Sequence, residues 1–370
     1  MKTKAAVVYE PGKPIEIEEL DLDGPREGEV LIRYTHAGLC HSDVHVAHGD
    51  LEARLPMVLG HEGAGIIEEV GVGVTRVKVG DHVVCSFIPN CGVCRYCATG
   101  RQSICDMGAT ILEGYLPGER FPITGPRGQY GAMCMIGTFS QWGVISQTSV
   151  IKVDDDLPLE KAVLVGCGVP TGWGSAVNTA NVAPGDTVAV FGVGGIGINA
   201  VQGARYAGAK NVIAIDPLEN KREKAMELGA THAFATAEEA QEAITEMTRG
   251  QGADSAILTV GLMSADVVGA GFNAVGKGGV VVLTGLNKLM EPTIQLPGTI
   301  LTLFRKSIKG SLFGDCNPTT DIPKLLGLYQ SGDLKLDEII TRTYTLEQVN
   351  EGYDDLLAGK NVRGVMVHEH

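Results

Sequence analysis

The sequence predicts a mixed α/β protein of two domains, in which a doubly wound parallel sheet is inserted into a β-rich domain. Three observations predict it. From Lys4 to about Phe87 the chain reads as short strands; after Pro184, apolar runs of five or six residues alternate with amphipathic segments of ten or more; beyond about Lys309 the pattern turns mixed again. With 370 residues, 44% of them hydrophobic, the chain is long enough to build two cores.

The first part contains "KAAVVYE", "PIEIEELDL", "EVLIRYTHAGL", "GAGIIEEVG" and "DHVVCSF", separated by Gly, Pro and Asp turns. The middle part runs "TVAVFG", "INAVQGARYAGA", "NVIAID", "ENKREKAMELGA", the alternation of a parallel sheet with crossover helices. In the last part "IPKLLGLYQSGDL" and "LEQVNEGYDDLLAGK" read as helices and "RGVMVHE" as a final strand, expected to rejoin the first domain. No fixed-period repeat and no low-complexity tract is present.

Charge and apolar runs exclude some function classes. Thirty basic against forty-four acidic side chains leave a formal charge of -14, which repels phosphate backbones and argues against nucleic-acid binding. The uncharged stretches 162–185 and 187–204 are rich in Gly and Asn, and the first also holds Pro170 and Pro184, so they read as buried strands and turns and not as membrane spans. The amino terminus, "MKTKAAVVYEPGKPIE", builds no apolar run of the signal-peptide kind, so the expected compartment is the cytoplasm.

At residues 187–216, "TVAVFGVGGIGINAVQGARYAGAKNVIAID" gives strand, Gly192-x-Gly194-x-x-Gly197, helix, strand and then an acid. Gly192 permits a tight turn, Gly194 lets backbone N–H groups approach a pyrophosphate, and Gly197 lets the helix pack close to the sheet. Gly195 lies within the same loop, and the helix amino terminus then faces the anion. Asp216, nineteen residues after Gly197, suits the adenosine ribose and repels the extra phosphate of NADP, which favours NAD.

"CGVCRYCATGRQSIC", residues 91–105, places Cys91, Cys94, Cys97 and Cys105 in one short stretch. Oxidised, they would close one or two disulfides over very short loops; reduced, they would cage a soft metal ion. Nine cysteines, an odd number, and a reducing compartment favour the metal. Four protein ligands leave no open position, so such a zinc site is structural.

A second set is dispersed: Cys40 in "AGLCHSDVH", His61 in "LGHEGAG" and Cys167 in "VGCGVPTGWGS". Spacing does not bring these three together, and each also reads as an ordinary core residue. Hydride removal from an alcohol favours an alkoxide, and an open zinc site lowers the pKa of a bound hydroxyl by several units, as it does for water, to about 7. Ser42 and His45, two and five residues after Cys40, are suited to carry the proton away.

On these residues the sequence resembles the zinc-containing medium-chain alcohol dehydrogenases, across almost its whole length. The signature "GHEGAGIIEEVGVGV", the four-cysteine lobe, "GCGVPTGWGS" and "VFGVGGIG" follow in the family's order. The resemblance implies a GroES-like catalytic domain at 1–168 with a zinc lobe at 88–108, a Rossmann NAD-binding domain at 169–309, and a return to the catalytic domain at 310–370. It implies two zinc ions per chain: catalytic zinc on Cys40, His61 and Cys167, with Glu62 behind the metal and Asp43 orienting His61, and structural zinc on the four-cysteine lobe. It further implies that Ser42 and His45 relay the proton, Phe87 lines the substrate pocket, Thr171 touches the nicotinamide, Lys221 lies at the ribose and Arg363 contacts the pyrophosphate. His41 stands where many members carry an arginine for the pyrophosphate, and it brings less fixed charge.

More narrowly, "CATGRQSICD", "IGTFSQW", "LFGDCNP" and "TRTYTLEQVNEGY" look like the bacterial nicotinoprotein branch, assayed with N,N-dimethyl-4-nitrosoaniline, whose members keep NAD bound through turnover. The implied partner is a small alcohol or aldehyde. A thiol-dependent formaldehyde dehydrogenase with exchanging NAD is the alternative within the superfamily; a non-catalytic dinucleotide-binding redox sensor is the alternative outside enzymes. A homo-oligomer, dimer or tetramer, is expected, with the apolar strand "GGVVVLTG" pairing between subunits.

Overall fold

The computed structural model of the chain describes residues 1–288, 290–292 and 294–370. They fall into two compact units: 1–167 with 317–331 and 336–370, and 168–316 with 332–335. The return to the first unit therefore begins at Asn317, not at 310. The strand Ser307–Gly310 still pairs with the parallel sheet, and Ser311 and the turn that follows are bonded to Ser175, Asn178 and Thr179.

The first unit is β-rich. Alternating or fully apolar stretches become Lys2–Val8, Glu16–Leu22, Glu29–Gly38, Gly63–Val70 and His82–Cys85, whose side chains meet in a buried core. Five strands close a small barrel in the order Lys2–Val8, Glu16–Leu22, Ile123–Gly125, Gly128–Ala132, Met57–Val58. A second sheet runs Val150–Lys152, His82–Cys85, Gly63–Val70, Glu29–Gly38, Arg363–Val367, Ile340–Tyr344. In it the last strand of the chain pairs antiparallel with Glu29–Gly38, Val365 opposite Gly38, so the carboxy-terminal segment does rejoin the first unit.

The second unit is a six-stranded parallel sheet ordered His232–Phe234, Asn211–Ile215, Thr187–Phe191, Ala253–Leu258, Val275–Leu283, Ser307–Gly310. In sequence order within this unit that is 3-2-1-4-5-6, the doubly wound pattern of a Rossmann sheet. Both faces of the central strand are covered, which is why Val188, Ala189 and Val190 form an uninterrupted apolar run with no exposed surface. The strand Val275–Leu283, expected to pair between subunits, is flanked on both sides within the chain, by Ala253–Leu258 and Ser307–Gly310. Its backbone groups are already used, so that mode of pairing is corrected. Among the described residues no helix is long and apolar enough to cross a membrane.

Candidate active site

Cys40 lies two residues past the strand Glu29–Gly38, at the N-cap of the helix His41–His48; His61 precedes the strand Gly63–Val70; Cys167 follows the turn Val163–Gly166. The fold brings them together with Glu62: one ligand atom from each of the four lies within 4.8 Å of the others, and all four residues are buried. His61 Nδ1 is 3.1 Å from Asp43 Oδ1. An ionised carboxylate only accepts, so Nδ1 carries a proton, and Nε2 is the nitrogen left for a metal ion, which would displace any proton there. That Nε2 is buried and has no hydrogen-bond partner. An orphaned imidazole nitrogen beside two thiols is the donor set of an open zinc site.

The same groups are strongly coupled electrostatically. A hydrogen bond with Cys167 and the nearby His61 and Arg363 hold the Cys40 thiol well below its usual range, although burial opposes this, while the Cys167 thiol is pushed up by the same bond and by burial. Burial disfavours a charged His61, yet the negative Asp43 and Cys40 raise its pKa well above the ordinary value. Glu62 is pushed up to about 7 by burial, with Arg363 pulling the other way. Its carboxylate forms a buried ion pair with Arg363, which is 3% exposed. Gly38 makes room for this pair, since a Cβ there would collide with Glu62 Oε2 and crowd Arg363 Nη2. The structure thus places Arg363, expected at the pyrophosphate, against the residue behind the proposed metal.

Ser42 and His45 lie on the helix His41–His48, which also starts with His41. Cys40 Sγ is 3.8 Å from Ser42 Oγ, and His45 Nδ1 is 3.0 Å from Asp50 Oδ2. Asp50 was not singled out in the sequence. It lies just past the helix, beyond the left-handed Gly49, and the chain turns back there, a local reversal that a Gly-Asp pair announces without naming the partner. Phe87 is buried, with its ring edge-on to His61 at 5.8 Å between centroids.

The four-cysteine lobe is closed on itself. The Sγ atoms of Cys91, Cys94, Cys97 and Cys105 lie within 4.8 Å of one another. The backbone N–H of Cys94 donates to Cys91 Sγ at 3.3 Å, and that of Cys97 to Cys94 Sγ at 3.4 Å. Such N–H donors favour thiolates, and those of Cys97 and Asp106 pull the Cys94 thiol down to about 6. No cysteine among the described residues is in a disulfide.

In the second unit the glycine-rich turn joins Thr187–Phe191 to the helix Gly197–Tyr206. Gly192 has φ +80°, which only glycine adopts without strain, and a Cβ on Gly197 would collide with the carbonyl of Gly192. Gly194 differs: a Cβ there would meet nothing within 4 Å, so the protein itself does not require glycine and the space is free for a phosphate. Gly195 receives the Asn199 amide on its carbonyl at 2.9 Å. Asp216 ends the next strand and accepts from the N–H of Val193 at 3.0 Å and of Leu218 at 2.9 Å, which fixes its carboxylate beside the turn. Lys221 is buried nearby, its pKa lowered by burial and partly restored by Asp216. Thr171 lies buried in the helix Gly168–Gly174, its carbonyl accepting from Ser175 Oγ at 2.6 Å.

Comparison with known proteins adds an independent line. The family model for the alcohol dehydrogenase GroES-like domain matches residues 26–155, and that for zinc-binding dehydrogenases matches residues 195–331. The chain is 64% identical over 368 residues to an NDMA-dependent alcohol dehydrogenase of Amycolatopsis methanolica, covering 100% of this chain and 99% of that one. It is 46% identical to alcohol dehydrogenase B of Mycobacterium tuberculosis, over 99% and 98% of the two chains. The crystal structure of benzyl alcohol dehydrogenase from Acinetobacter calcoaceticus superposes with a TM-score of 0.93 at 30% identity, covering 100% of both chains.

Proposed function

Because the chain belongs to the zinc-binding medium-chain alcohol dehydrogenases, we propose that it interconverts a small alcohol and its aldehyde with a NAD that stays bound through turnover. The observation that carries the reading is the convergence of Cys40, His61 and Cys167 around an unpartnered imidazole nitrogen. Retention of NAD is supported by the 64% identity to the NDMA-dependent relative. Zinc on Cys40, His61 and Cys167 would leave one position for substrate and polarise its hydroxyl, as hydride leaves for the nicotinamide.

The chain's own residues supply the rest. Ser42 Oγ, close to Cys40, takes the hydroxyl proton, and His45, held by Asp50, passes it towards solvent. Asp43 holds His61 in the tautomer that leaves Nε2 as a ligand. Phe87, packed against His61, forms an apolar wall for the substrate. Thr171 would serve the nicotinamide, Gly192 to Gly197 would cradle the pyrophosphate, and Asp216 and Lys221 would hold the ribose. A second zinc on the four-cysteine lobe is structural. Free thiols throughout fit a reducing, cytoplasmic setting. A homo-oligomer fits the open edge of Ser307–Gly310 and the exposed Leu303 and Leu312 nearby.

The test is to desalt the purified chain, denature a portion, and look for released nucleotide, while assaying the rest with alcohol and N,N-dimethyl-4-nitrosoaniline without added NAD. About one NAD per chain and undiminished activity are expected. Nucleotide lost on the column together with dependence on added NAD would favour the thiol-dependent alternative instead. A further expectation concerns Asp216. Asp216→Asn keeps a side-chain oxygen for the Val193 or Leu218 N–H but removes the charge. On nucleotide-stripped protein it should tighten NADP binding on the order of tenfold, the effect of relieving roughly 1.4 kcal/mol of repulsion. Unchanged NADP affinity, measured by calorimetry, would remove Asp216 from the ribose site.

A further inference from the structure

Asp43 carries an imbalance. Both of its formed hydrogen bonds, from His61 Nδ1 and from the backbone N–H of Gly60, each 3.1 Å, end on the same oxygen, Oδ1. Oδ2 is buried and has no donor. A carboxylate oxygen left so in a protein interior loses its hydration with nothing in return, so a native fold seldom leaves one without a nearby remedy.

The remedy is at hand in the carboxy-terminal part of the same unit. Tyr353, on the helix Val349–Leu357, is 6% exposed, and its hydroxyl also has no hydrogen-bond partner. The helix is docked closely enough that a Cβ on Gly352 would lie 2.5 Å from Leu39 Cδ2, next to the ligand Cys40. The Tyr353 ring packs on Phe139, 6.1 Å between centroids, and Phe139 in turn lies against Gly60, where a Cβ would be 2.7 Å from Phe139 Cδ1; the N–H of Gly60 is the backbone donor to Asp43. Burial first, then the neighbouring charges of Asp43 and Cys40, hold the phenol pKa well above its usual value, so the group remains a donor across the working range. The titratable groups around this carboxylate are His61, Cys40, Cys134 and Tyr353 itself.

We propose that Tyr353 is a positioning residue of the catalytic centre, its hydroxyl donating to Asp43 Oδ2 and so setting how strongly Asp43 draws on the Nδ1 proton of His61. This rests on the reading of His61 as a zinc ligand. With the tyrosine bond present, part of the carboxylate's electron density is taken up by the phenol, the His61 Nδ1–H bond is weaker, and His61 Nε2 is a less basic ligand. Zinc held by a less basic ligand keeps more of its power to acidify what it binds. Phenylalanine would fill the same space without that control.

The experiment compares Tyr353→Phe, which removes only the hydroxyl, with Tyr353→Leu, which also removes the ring, in the zinc-loaded enzyme. Three readouts are taken: the pH profile of kcat/KM, the chemical shift of the His61 Nδ1 proton in 15N-histidine-labelled protein, and the thermal midpoint. Both variants are expected to move the rising limb of the profile to higher pH and the Nδ1 proton downfield, and to lose about tenfold in kcat/KM at pH 7. Only Tyr353→Leu is expected to lose much thermal stability. A Tyr353→Phe enzyme with the wild-type limb and the wild-type proton shift would overturn the proposal, whatever its melting point. Zinc analysis of the wild-type chain tests the metal reading separately, so an unaltered profile in a chain that carries its zinc sinks the role of Tyr353 alone.

Discussion

Replacing Cys167 with serine is expected to remove one zinc ion per chain and to lower kcat/KM by on the order of 1000-fold, about 4 kcal/mol of lost transition-state stabilisation. Serine is nearly isosteric, so packing around this buried residue should survive; the hydroxyl, however, is a far harder and less acidic donor than the thiol it replaces. Cys167 belongs to the first unit, whereas the glycine-rich turn and Asp216 belong to the second. Nucleotide binding should therefore persist while turnover is lost. Metal analysis, NAD quantification and steady-state kinetics on one preparation check this. A serine variant that keeps both its zinc content and more than a tenth of its activity would show that Cys167 is not a ligand.

The second large effect concerns the lobe at 88–108. Replacing Cys97 with serine should cost several kcal/mol of stability, lower the melting point by on the order of 10 °C, and expose the lobe to proteolysis. The reason lies in what the lobe lacks. Within residues 91–105 only Cys97, Ser103 and Cys105 are buried, while Val93 is 86% and Ile104 42% exposed. With no apolar core of its own, the segment would take its shape from metal–thiolate bonds if the proposed structural zinc is bound. Activity should decline with the loss of fold, and the catalytic zinc should stay. Limited proteolysis with mass mapping locates the cut, and a Cys97→Ser chain as stable and protease-resistant as wild type would show that the lobe holds itself without metal.

Part of this protein is legible residue by residue. The Cys91, Cys94, Cys97 and Cys105 spacing is a local matter, because four thiols separated by two, two and seven residues meet over a single short loop at little entropic cost. The turn from Gly192 to Gly197 is likewise written in sequence: its strand, its helix and Asp216 belong to one β–α–β unit whose pattern of apolar periods predicts its own geometry. The strands of the first unit and the return of "RGVMVHE" to it follow from alternation and from the need of that strand for a partner sheet.

Other features have no local signature. Cys40, His61 and Cys167 read individually as core residues; the antiparallel register sets Ala37 opposite Gly63 and Gly63 opposite Cys85, and Cys167 joins them because Gly166 packs tightly against the carbonyl of Cys85, where a Cβ would lie 2.5 Å from that oxygen. The pairing of Glu62 with Arg363, 301 residues apart, depends on the final strand lying beside Gly38. The docking of the helix that carries Tyr353 depends on packing its Gly352 against Leu39. The interior place of Val275–Leu283 in its sheet is of the same kind, since an apolar strand shows that it is buried but not which neighbours bury it. Short-range spacing is read from the chain because few conformations compete with it; long-range contacts are selected only when whole sheets and helices pack, and that choice is made by the sum of the buried surfaces and by no single residue.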